Sequence, residues 1–204
     1  MKLSALAALA LLSAAPAFAA GPVFTVDFEK TWDYTNGGVD GYYNGGTAAD
    51  GSTGTNLGLG FVGVSGLSND INFTYYTNAP SPQGVAYVFD TAAYINVAAG
   101  VANNLTFSYA STSAVVGAVK AYAGLNGTGA LLGSMNLAAN NASSFDVWTA
   151  KTFSFSGTAK SFDVGASVSA VAFDNVSSVP ETGTVLMLLL GGAAVIGIAG
   201  HRRA

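Results

Sequence analysis

The chain has 204 residues, a formal net charge of -4 and no cysteine, which excludes disulfides, thiolate metal sites and a thiol nucleophile together. Its one histidine, His201, stands at the extreme C-terminus, so the body of the chain has no imidazole for a Ser-His-Asp triad, a zinc site or base chemistry near neutral pH. Residues 20–176 hold four bases (Lys30, Lys120, Lys151, Lys160) against ten acids from Asp27 to Asp174; without a basic patch, nucleic acid is excluded as a partner.

Residues 1–19 form a secretory signal peptide: Lys2 supplies the positive n-region, 3–15 the apolar h-region, and Ala17-Phe18-Ala19 the small-x-small cleavage site. The expected partners are the Sec export machinery and signal peptidase, and the mature chain is expected to begin at Ala20. The h-region is too short to be a second transmembrane helix.

From 20 to 176 the sequence predicts one all-β ectodomain, a two-sheet antiparallel β-sandwich. Short apolar-alternating runs separated by Gly, Asn, Ser and Pro clusters predict strands over 23–28, 57–64, 71–76, 85–89, 104–109, 115–122, 131–137, 148–155, 160–164 and 168–176. Period-two alternation puts Phe24, Val26 and Phe28 on one face, and likewise Leu57, Leu59 and Phe61. Phe153 and Phe155, with Val171 and Phe173, read as sandwich core. Asn36-Gly37, Asn44-Gly45 and Asn126-Gly127 are candidate tight turns.

The longest irregular stretch, 32–56, concentrates Trp32, Tyr34, Tyr42 and Tyr43 beside Asp33, Asp40 and Asp50. Long irregular connections are functional or mobile more often than not. Rings beside carboxylates and amides are also what sugar binding uses, since pyranose faces stack on rings while hydroxyls need polar partners. Trp32, Tyr34, Tyr42 and Tyr43 are therefore the candidate ligand-binding residues; the competing reading is a glycine-rich surface loop whose tyrosines cover the sandwich edge.

The tail has three parts: Val179-Pro180-Glu181-Thr182-Gly183, an uncharged apolar segment over 184–200, and a basic end, His201-Arg202-Arg203-Ala204. The apolar segment closed by arginines is predicted to be a transmembrane helix with its C-terminus in the cytoplasm, as the positive-inside rule requires. At ~1.5 Å rise per residue it reaches roughly 25 Å against a hydrocarbon core of about 30 Å, which suits a transient membrane handle better than a lasting span. The expected layout is thus signal peptide 1–19, ectodomain 20–176, linker and sorting motif 177–183, transmembrane helix 184–200 and cytoplasmic basic tail 201–204.

This tail resembles the PEP-CTERM signal of Gram-negative bacteria in Val179, Pro180, Glu181, the apolar segment that follows at once, and Arg202 and Arg203. It departs at Thr182, where that family usually has a second proline. The resemblance implies an exported cell-surface or extracellular-matrix protein, held transiently in the inner membrane, processed by an exosortase and associated with exopolysaccharide. Val-Pro-Glu-Thr-Gly is also similar to the Leu-Pro-x-Thr-Gly signal of sortases, and a plain single-span anchor stays open as well.

The ectodomain in turn resembles galactose-binding-like and carbohydrate-binding jelly rolls, in Val26-Asp27-Phe28-Glu29 of the opening strand and Ala172-Phe173-Asp174-Asn175-Val176 of the closing one. In several such modules those strands lie together and hold a structural calcium ion, which makes Asp27, Glu29 and Asp174 the implied ligands. Three functions follow: a non-enzymatic surface or matrix protein, a carbohydrate-binding module, or a carboxylate-only glycosidase. Two acids facing across a cleft would mark the glycosidase, and clustered exposed rings without such a pair the binding module.

Overall fold

Residues 23–178 are described by a computed structural model of the chain. The predicted signal peptide with Ala17 and Ala19, the expected sorting motif at Val179, Pro180, Glu181 and Thr182, the apolar segment 184–200 and the arginines Arg202 and Arg203 lie outside the described residues. Among the described residues no helix is long and apolar enough to cross a membrane.

Nine strands follow one another: β1 Phe24–Val26, β2 Leu59–Val62, β3 Val64–Leu67, β4 Val85–Val88, β5 Tyr94–Ser111, β6 Val115–Tyr122, β7 Leu131–Leu137, β8 Thr149–Asp163 and β9 Val171–Ser178, with single 3₁₀ turns at Tyr42–Asn44 and Gly165–Ser167. Every pairing between these strands is antiparallel. The fold is all-β, as the alternation predicts.

Hydrogen bonding links the strands into one continuous sheet of order β3-β4-β9-β5-β8-β6-β7, with β1 added to β9 and β2 to β5. Two long strands make this possible. The first part of β5 pairs with β2 and with the end of β8; its second part pairs with the start of β8 and with β9. Register shifts between Asn96 and Asn104 mark the change of partners. A bulge leaves residues unpaired, bends the strand and increases its twist. Asn103 (φ 63) and Gly100 (φ 82) on β5 and Gly157 (φ 94) on β8 absorb the left-handed backbone this requires. Both arms of the sheet feed one apolar core, in which Leu59, Ile95 and Phe162 from one arm join Val26, Phe153 and Phe173 from the other.

The structure revises the predicted strands in three places. Stretches 148–155 and 160–164 are one strand, β8, because the bulge carries the chain past Gly157 without breaking the ladder. The strand predicted at 104–109 begins ten residues earlier, at Tyr94. Stretch 71–76 is a loop whose one bridge, from Tyr76 to Phe145, joins it to the connection between β7 and β8, while β3 occupies a segment read only as the end of its predecessor. The predicted core residues Phe24, Val26, Phe28, Phe153, Phe155, Val171 and Phe173 are all buried.

Candidate functional site

The site begins with a tryptophan that folds the long loop onto the sheet. Trp32 is 4% exposed; its indole N–H donates to the Phe28 carbonyl at 2.8 Å and its backbone N–H to Ser68 Oγ at 2.9 Å. The ring lies flat over Gly66 of β3, where any Cβ would overlap it. Lys30 Nζ sits 4.5 Å from the ring centroid and is ion-paired with Asp50, so the loop is clamped to the stem of β1. The Lys30 ammonium, followed by the Ser52 hydroxyl, holds the Asp50 carboxyl down at about 2.

Of the four rings expected to meet a ligand, the structure buries Trp32 and Tyr43 and leaves Tyr42 partly covered. Tyr43 is 6% exposed and packs edge-on against Phe28, at 5.8 Å between centroids, which pushes its phenol well above the usual range by burial. Tyr42 is half-buried and wedged edge-on against both Trp32 and Tyr43. These rings fill the space between loop and sheet, where apolar area leaves water most favourably. Tyr34 is the most exposed of the four, at 67%.

Tyr34 opens onto a groove of ≈ 850 Å³ over the outer face of β3 and β4. Its floor is Ser65 and Tyr87, directly opposed across the two strands, and the extended backbone of Gly37 and Gly38, which bonds to β3 through Gly66 N–H and the Gly38–Ser65 bridge. A side chain at Gly37 would meet the carbonyls of Asp33 and Gly66 at 2.7 Å, so glycine is what lets the segment lie this close. Phe73, Tyr75, Phe89 and Phe145, with Ser143 and Ser144, complete the lining.

The rings are held in place before any ligand arrives. Tyr34 and Tyr75 stack at 5.2 Å with 14° between their planes, and Phe73 leans on Tyr75 at 4.7 Å. Asp33 Oδ1 accepts both the N–H and the hydroxyl of Thr35 at 2.8 Å, fixing the turn that presents Tyr34; these bonds, the hydroxyl's first, lower the Asp33 pKa. Asn69 Oδ1 accepts the N–H groups of Tyr75 (2.8 Å) and Tyr76 (3.1 Å), and its amide donates to the Tyr76 carbonyl at 2.7 Å. Asp70 Oδ1 accepts from Asn72 and Phe73 N–H at 2.6 and 2.8 Å. Phe73 is 59% exposed and Phe89 74%. Exposed rings clustered around a concave surface mark an interaction site.

Asp40 is the one carboxylate among the residues lining the groove. Two-carboxylate glycoside hydrolysis needs a second acid facing the first across the bond to be broken.

The candidate calcium ligands sit elsewhere, at the β1–β9 end. Asp174 is fully buried: its Oδ2 accepts Ser81 N–H and its Oδ1 the N–H of Asn175, both at 2.7 Å. Burial pushes its carboxyl up to about 6 despite those bonds. Glu29 Oε1 accepts from Gln83 N–H at 2.7 Å and Gly84 N–H at 3.2 Å, and Asp27 Oδ1 accepts Glu29 N–H at 3.2 Å. Three hard-ion ligands would have to converge with free oxygens. Among the described residues no group of three or more acids or histidines is close enough to hold a metal ion. The carboxylates of Glu29 and Asp174 instead pin the 78–84 connection to the sheet, and the calcium expectation finds no fit here.

No known family model and no curated protein matches the chain. Among solved structures it is similar to the CBM22-1 xylan-binding domain of Paenibacillus barcinonensis Xyn10C, at 10% sequence identity and a TM-score of 0.37, over 78% of this chain and 94% of that domain.

Proposed function

We propose that the β domain is a non-catalytic carbohydrate-binding module. The observation that carries this reading is the stacked pair Tyr34–Tyr75 at the mouth of a groove that mixes rings with hydroxyls and amides. A ring face offers a sugar its apolar C–H surface, and the polar groups around it replace the water that the sugar hydroxyls lose. Preorganisation by Asp33, Asn69 and Asp70 lowers the ordering cost of binding. The test is retention on a panel of immobilised polysaccharides: replacing Tyr75 by Ala should weaken binding by ~10-fold or more, as loss of a central aromatic anchor does. Unchanged binding in both Tyr34→Ala and Tyr75→Ala removes the groove as the site.

The same protein is, in this proposal, an exported surface protein. The signal peptide ending at Ala19 and the tail from Val179 to Arg203 support that placement, with an exosortase as the processing partner and exopolysaccharide as a polymer within reach.

A further inference from the structure

We infer that the groove takes an uncharged polysaccharide and turns away its uronate-bearing counterparts; this rests on reading the groove as a carbohydrate site. None of its lining residues is a lysine or arginine. Of the four lysines in the described domain, Lys30 is held by Asp50 under the loop, Lys120 lies 3.8 Å from Asp163, and Lys151 and Lys160 stand on β8, away from the groove.

The single charge in the groove is negative and stands on a backbone that is held in place. Asp40 has a left-handed backbone (φ 42), its carbonyl accepts Phe61 N–H at 2.8 Å, and its carboxylate leans over Gly38, where a Cβ would lie 3.0 Å from Oδ2. No hydrogen bond within the described residues occupies that carboxylate, which leaves it free to accept from sugar hydroxyls. The surrounding ring faces are electron-rich as well. A uronate carboxylate entering here would shed water, meet no cation and face a like charge, a combination that costs affinity on every count. A hydroxyl in the same place finds Asp40, Asn36 or Ser65 as a partner.

The experiment compares the mature protein on soluble neutral polymers (β-glucan, xylan, galactomannan) with polygalacturonate and alginate of similar length, by affinity electrophoresis and titration calorimetry. At least one neutral polymer should bind at least ~10-fold more tightly than either uronate polymer, and added salt should narrow the gap as screening grows. Asp40→Asn, which tolerates the left-handed backbone, should narrow it several-fold. Uronate polymers binding as tightly as the best neutral one, or a gap indifferent to both salt and Asp40→Asn, overturns the inference while leaving a carbohydrate site. Retention by none of the polymers instead removes the carbohydrate reading, and the inference with it.

Discussion

The buried carboxyl of Asp174 should give this domain an unusual dependence of stability on pH. Its pKa stands at about 6 in the fold against 3.8 for an unperturbed aspartate, with burial as the leading cause. An acid whose pKa rises on folding binds its proton more tightly in the native state. Its stabilising contribution is complete below the unfolded value and is lost as pH climbs through the folded one. A shift of roughly 2 units corresponds to about 3 kcal/mol, an upper magnitude, lost between about pH 4 and pH 7. Asp50 acts in the opposite sense and in a different window: held at about 2 by Lys30, it supports the fold above pH 4 and releases that support only as pH falls further. Stability should therefore peak near pH 4 and decline on both sides. Urea unfolding followed by tryptophan fluorescence, at steps from pH 3 to pH 8, measures the curve. A midpoint that stays level or rises from pH 4 to pH 7 refutes the assignment. Asp174→Asn should flatten that limb whatever it does to absolute stability, since it removes that group's share of the proton uptake that sets the slope.

Gly66→Ala should cost roughly 1–3 kcal/mol by driving a methyl into the Trp32 ring, read as a lower urea midpoint with a shifted tryptophan emission. Asn69→Ala removes the acceptor of the Tyr75 and Tyr76 N–H groups and should lose about 1–3 kcal/mol locally, seen as faster amide exchange over 69–76 and weaker polysaccharide binding with the β-sheet amides unaffected. Intact-mass measurement of the secreted protein should give a species starting at Ala20 and ending after Glu181 when the host's exosortase is present, and full-length membrane-bound chain when it is deleted; membrane-bound full-length chain in both hosts supports a plain anchor, and a Thr182 terminus or adduct a sortase.

How far the sequence discloses this structure depends on the range of the interactions concerned. Strands β6 and β7 stand where alternation puts them, at 115–122 and 131–137, because period-two patterning is a local property. The fusion of two predicted strands into β8 was not legible, since Gly157 reads as a breaker and only the facing bulge at Asn103 turns it into a continuation. The loop 32–56 was correctly singled out as unusual, yet its rings divide between core and surface by a contact made across the fold: Gly66 is flat enough to receive Trp32. The groove's other aromatic lining, Phe73 with Tyr75, Tyr87 and Phe145, comes from three separate stretches and carries no common motif. A signal was present for one of them. Asn69-Asp70 are turn formers that bond to backbone just ahead, which argues against a strand at 71–76.

The pairing of β1 with β9 brings Phe24 opposite Ser178, so the two ends of the domain leave it side by side. Tyr87, on the groove floor, pairs instead with Ala172 at the other end of β9. Six residues of strand, about 20 Å, separate these poles. The aromatic groove therefore lies about a strand's length away from the corner where both ends of the domain meet, so a change made at that corner reaches the groove only through β9.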